Sequence, residues 1–99
     1  MSSYRKQQEK VFTRDNGLCR VCGKKAHHTH HIIYRSHQGN DSEQNLISLC
    51  SRCHRNAHHS EKEWRDKLIG MQEELYGTIN VRELKKKDQY ENFKYSKFR

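Results

Sequence analysis

The sequence predicts a small α+β fold: two short strands and a helix stapled by cysteines, with helices flanking this core on its N- and C-terminal sides. Three observations predict it. The chain has 99 residues, 31% hydrophobic and 32% charged, which is too polar for an apolar core to hold it together unaided. Its four cysteines form two C-x-x-C pairs, Cys19/Cys22 and Cys50/Cys53, which can act as the staple. Between the pairs lie two short β-branched runs, and helical patterning surrounds them. No stretch approaches the roughly 20 apolar residues of a membrane span. Residues 1–10 lack the apolar run of an export signal, so a cytoplasmic protein is expected.

Residues 3–15 read as a short helix with Tyr4, Gln7, Val11 and Phe12 on one face, closed by Asn16-Gly17 as a C-cap. Residues 1–13 are thus an N-terminal helical arm. Cys19-Arg-Val-Cys22-Gly23 is a knuckle turn. Residues 26–34 (AHHTHHIIY) end in β-branched and aromatic side chains and predict a strand. A polar loop from Arg35 to Gln44 follows, with Gly39-Asn40-Asp41 as its turn signal. Asn45–Leu49 predicts the second strand. Cys50-Ser-Arg-Cys53-His54 closes the second knuckle and starts a helix reaching His58 or His59, which ends the core at residues 14–59. Ser60 and Glu63 have capping-box spacing and open an amphipathic helix over 61–76. Trp64, Leu68, Met71 and Leu75 lie near one face of it, as packing residues, and Gly77 stops it. A weaker helix over Val81–Lys87 and a basic tail complete the extension at 60–99.

Charge names the class of partner. Twenty Lys and Arg against twelve Asp and Glu give +8. The excess sits on residues 1–60 (+6) and 82–99 (+4), with a connector at 61–81 of −2. A polyanion such as nucleic acid fits this distribution. Arg20, Lys24, Lys25, Arg35, Arg52 and Arg55 lie nearest the cysteine core and are the expected grips on a phosphate backbone. Lys85, Lys86, Lys87, Lys94, Lys97 and Arg99 track phosphates or simply solvate the tail.

Two C-x-x-C pairs can place four thiolates around one tetrahedral ion, so Cys19, Cys22, Cys50 and Cys53 predict a closed structural zinc site. Redox cysteines and an iron–sulfur cluster are the rivals, but a redox pair normally sits on a βαβ scaffold that this sequence does not carry. The histidines crowd into the same region. His54 and His58 are four residues apart directly after Cys53, on one helical face, where both rings can hold a single ion. His30-His31 lies in the hairpin between the cysteine pairs, and the knuckle draws that hairpin toward the helix. Imidazoles converging beside a metal already satisfied by sulfur form a second site with an open position, the hallmark of catalytic rather than structural metal. His28 shares the strand face of His30 and rivals it as ligand. In an ideal strand His30 and His31 point to opposite faces, so both serve one site only if the strand ends or bends there.

The series Cys19-x-x-Cys22, His30-His31-Ile32-Ile33, Asn45-Leu46-Ile47-x-Leu49-Cys50-x-x-Cys53-His54 resembles the zinc-stapled branch of the HNH endonucleases, over roughly residues 14–59. The resemblance implies the ββα-metal fold and a metal-dependent DNA endonuclease that leaves a 5′-phosphate and a 3′-hydroxyl. It implies that His31 is the general base, that His30, His54 and His58 hold the catalytic metal, and that Asn45 bonds the backbone around His31; Asn40 competes for that last role. His54 is thereby a catalytic as well as a ligating residue. Many relatives carry aspartate where His30 stands and proline where Tyr34 stands. An all-imidazole set favours manganese, nickel or zinc over magnesium. The resemblance also suggests a phage or mobile-element protein, in the host cytoplasm, working with packaging or other DNA-processing proteins in homing, packaging or restriction. The competing function is a non-catalytic, zinc-stapled nucleic-acid-binding module, which accounts for the cysteines and charge but not for His31, Asn45, His54 and His58 together.

Overall fold

Helix α1 (Ser2–Arg14) opens the computed structural model, which describes residues 2–86. Strands β1 (His28–His31) and β2 (Leu46–Leu49) follow, then helices α2 (Ser51–His59) and α3 (Glu61–Tyr76). Single 3₁₀ turns lie at Arg35–His37, Glu43–Asn45 and Val81–Leu84. Helix α1 stops where Asn16 and Gly17 both adopt positive φ, and the Gly17 amide reaches back to the Phe12 carbonyl. That is the left-handed C-cap such a pair favours.

The two strands form an antiparallel hairpin in which His28 faces Leu49 and His31 faces Leu46. All four β2 residues are buried, so both faces of this strand are covered. Ile47 and Leu49 pack with Ile32, Cys19, Cys50, Cys53, Ala57 of α2 and Leu68 of α3. Helix α1 lies against β1 and β2 as well, with Val11 fully buried. A second small core joins Ile33, Ile79 and Leu84.

A buried polar network ties these layers together. The Asp15 side chain, 1% exposed, accepts from Arg14 at 2.8 Å and Arg20 at 3.2 Å and from the Ser48 amide. Fully buried Gln72 accepts from Arg20 and donates to the carbonyls of Glu43, Gln44 and Leu46. Helix α1, the first knuckle, β2 and α3 are thereby held by hydrogen bonds as well as by apolar contact. Burial pushes the Asp15 carboxyl up, but Arg14 and the Ser48 amide outweigh it and hold it below the ordinary range.

Several expected details differ. Ser60 precedes α3 without a side-chain cap, because α2 runs almost directly into α3 and leaves Ser60 at φ −126°, ψ 66°. The capping box forms instead between Asn80 and Glu83. Leu75 is 54% exposed and Phe12 56% exposed. The inner face of α3 turns toward Gln72 and half-buried Tyr76, since a polar side chain with all its hydrogen bonds met can occupy a core position that patterning assigns to a hydrophobe. The weak helix over Val81–Lys87 is only the 3₁₀ turn Val81–Leu84. Leu84 enters the second core, and the chain then pairs with the 38–40 loop: Lys86 donates to the Gln38 carbonyl and Asn40 to that of Leu84. Gly39 lets this loop close on residues 33 and 34, because a Cβ there would run into the Ile33 carbonyl. Lys87, Lys94, Lys97 and Arg99 lie outside the described residues.

Candidate active site

Each knuckle is shaped by its backbone. Gly23, at positive φ, donates to the Cys19 carbonyl, and Cys19 donates to that of Lys24. Cys50 is the N-cap of α2, its sulfur accepting from the Cys53 amide at 3.4 Å. That amide holds the Cys50 thiol down at about 6, which favours the thiolate a metal needs. The four sulfurs lie within 4.8 Å of one another, with Cys22 and Cys50 3.6 Å apart. Two sulfurs at tetrahedral angles about one zinc are separated by about 3.8 Å. The residues fit a closed four-sulfur zinc site.

A second donor group stands beside it. His30 at the centre of β1 and His54 and His58 on successive turns of α2 bring one ring nitrogen each within 4.8 Å of the others. The Nε2 atoms of His54 and His58 are 3.2 Å apart, close to the spacing of two imidazoles on one ion. The Nδ1 of His58 faces away from that point, toward the Tyr34 hydroxyl at 3.2 Å, so the ring's other nitrogen is held toward the cluster. Burial, with neighbouring imidazoles adding to it, pushes His30 down to about 3 and His54 to about 4. Neutral rings with available lone pairs are what a divalent ion takes. His30 is buried, His54 half-buried and His58 exposed, so the cluster opens to solvent on one side. His28 lies outside it, stacked on His54 at 4.2 Å.

His31 does not join the three. It stacks on Tyr4 of α1 at 5.7 Å, and its Nε2 lies 2.8 Å from Asp41 Oδ1. Strand β1 ends at His31, so the two adjacent histidines sit at the point where the chain leaves the sheet. Fully buried Asn45 shapes that exit: its side chain accepts from the Ile33 amide and donates to the carbonyls of Ile33 and Asn40, while its carbonyl accepts from Ile32. Asn40 instead bonds Ser42 and the carbonyls of Glu83 and Lys85.

Among the basic residues, Lys24, Lys25, Arg52 and Arg55 are exposed. Arg20 is not available as a phosphate grip: its guanidinium is taken up by Asp15, Gln72 and the Met71 carbonyl. Arg35 is exposed but leans on Asp41 at 3.3 Å and over the Tyr4 ring at 4.4 Å. Asp41 itself was legible in sequence only as a turn residue; its place in a loop that returns along β1 was the available signal. Partial burial pushes its carboxyl up, but His31 and Arg35 prevail and hold it below the usual range.

The span from Cys19 to Ser60 thus contains both donor clusters, and residues 19–60 match the HNH endonuclease family. This segment belongs to that family. Over 80 residues the chain is 34% identical to the type IV methyl-directed restriction enzyme EcoKMcrA of Escherichia coli (strain K12), covering 71% of this chain and 27% of that enzyme. The chain therefore spans about a quarter of the length of that curated relative. No solved structure matches the chain significantly. These matches lend no support to a phage origin. Among its described residues, no helix is long and apolar enough to cross a membrane.

Proposed function

We propose that this chain is a metal-dependent DNA endonuclease that hydrolyses phosphodiester bonds and leaves a 5′-phosphate and a 3′-hydroxyl. The observation that carries the reading is the pairing of two unlike donor sets, four sulfurs complete in themselves and three imidazoles that leave a coordination position open. His30, His54 and His58 would hold one divalent cation. Such a cation supplies positive charge where negative charge grows on a phosphodiester during cleavage.

The remaining work falls to the chain. His31 takes a proton from the attacking water, a task suited to imidazole near neutral pH. Asn45 keeps the backbone that follows His31 fixed, so the ring stays aimed. Lys24, Lys25, Arg52 and Arg55, with Arg35 beside the loop, contact phosphates and set affinity rather than sequence choice. An all-imidazole donor set makes activity with manganese or nickel at least equal to that with magnesium. Likeness to a restriction enzyme favours restriction over homing or packaging as the role. We also take residues 14–59 as the core, with 1–13 as arm and 60–99 as extension.

Supercoiled plasmid incubated with wild type and His31→Ala tests the reading. We expect the wild type to produce nicked circles with manganese or nickel, and the variant to bind DNA while nicking about 10²–10⁴-fold more slowly. No nicking by wild type with any divalent metal would favour the non-catalytic binding module.

A further inference from the structure

Four side chains outside the imidazole cluster close into a ring. His31 Nε2 lies 2.8 Å from Asp41 Oδ1. Asp41 Oδ2 is 3.3 Å from the Arg35 guanidinium, which stands 4.4 Å over the face of Tyr4. Tyr4 in turn stacks on His31, the ring planes 19° apart. Helix α1 also grips the loop through Gln7, whose amide donates to the Asp41 carbonyl at 3.1 Å.

We propose that Asp41 is a positioning residue for His31, fixing the ring proton on Nε2 so that Nδ1 carries the lone pair that accepts a proton. The inference rests on the nuclease reading, in which His31 is the base. An ionised carboxylate can only accept hydrogen bonds, so a neutral His31 facing it must donate from Nε2. One tautomer is thereby selected, and its basic nitrogen is the one turned away from Asp41. Arg35 holds the carboxylate through both oxygens, donating to Oδ2 at 3.3 Å and to Oδ1 at 3.4 Å. Tyr4 covers one face of the imidazole and opposes a ring flip that would exchange the two nitrogens. A base whose tautomer and direction are set in advance loses nothing to reorientation when the substrate arrives.

This assigns α1 a part in the site. The arm contributes Tyr4 and Gln7 to the surroundings of His31, and Asp41 reaches it from a loop that sequence marks only as a turn.

Two readouts test the proposal on the full, zinc-replete chain. The first needs no activity: ¹⁵N chemical shifts of the His31 ring, recorded at neutral pH, report which nitrogen is protonated. Wild type is expected to show a protonated Nε2 and a bare Nδ1, and Asp41→Ala a mixture of both tautomers. Asp41→Asn, which keeps size and leaves folding undisturbed, is expected to lose the single tautomer too, because its amide can present either a donor or an acceptor. The second readout is nicking: both variants should lose about 10- to 100-fold in kcat, with KM for DNA and manganese affinity by calorimetry unchanged. A purely structural role would move KM, metal affinity or thermal stability together with kcat. A wild-type ring protonated on Nδ1, or a tautomer unchanged in Asp41→Ala, overturns the assignment. So does an unchanged kcat in both Asp41 variants when His31→Ala is inactive. Failure of the nuclease reading would appear elsewhere, as a wild type that fails to nick whichever divalent metal is supplied.

Discussion

The sulfur cluster and the imidazole cluster are neighbours built from overlapping stretches of chain, and they differ in how each is closed. Three of the four cysteines are buried, and their sulfurs come from turns whose amides and carbonyls are already paired. The three histidines grade from buried His30 to exposed His58, on two elements, β1 and α2. A complete donor set inside the core holds the fold together, whereas an incomplete set at its margin can take a substrate oxygen. In the proposed function, burial and donor number make the same metal chemistry structural in one place and catalytic in the other.

The largest effect that sharpens this contrast is removal of a sulfur. Cys53→Ser, or chelation of the zinc, should unfold the chain. A structural zinc site contributes about 10–16 kcal/mol in small domains, and a core this polar has little to replace it. Circular dichroism should lose its helical signal. His54→Ala should instead melt within a few degrees of wild type, costing about 1 kcal/mol, while nicking falls at least 100-fold. If both variants unfold alike, the division between the clusters fails.

Next in size is the network behind the sheet. Asp15→Asn should cost about 3 kcal/mol in urea unfolding, because it leaves the Arg14 and Arg20 guanidiniums without their buried partner. The folded Asp15 carboxyl titrates below its unfolded value of about 3.9. Its contribution is therefore complete above that value and is lost as pH falls through the folded one. The acid limb of a stability–pH curve should be shallower in the variant.

The smallest effects belong to the exposed basic residues. Arg52→Ala and Arg55→Ala should leave melting unchanged within about 0.5 kcal/mol. Each should weaken DNA binding evenly across sequences and lower the slope of log K against log salt by about 1. A sequence-dependent loss would place those arginines on base edges instead.

Much of this was legible in the sequence where spacing alone carries geometry. C-x-x-C turns place two sulfurs together whatever follows, and His54 and His58 share a helical face by the 3.6-residue repeat. Asn16-Gly17 announced the end of α1, and β2 its apolar run. What stayed hidden depends on distant chain segments meeting. Arg20 reads as a surface cation until Asp15 and Gln72 are seen beside it, and Gln72 interrupts a hydrophobic stripe that patterning would have completed with Leu75. Asp41 gains a role only when the loop folds back on β1 and Tyr4 arrives from the other end of the chain. Ser60 has the sequence of a cap, but the tight junction between α2 and α3 denies it the geometry.

Metal loading tests the central claim most directly. Manganese titrated into the zinc-replete protein should bind with a stoichiometry of one, disappear in His54→Ala, and switch on plasmid nicking in proportion to the occupied fraction. Full nicking before that ion enters, or none once the site is saturated, would contradict an open imidazole centre as the seat of cleavage.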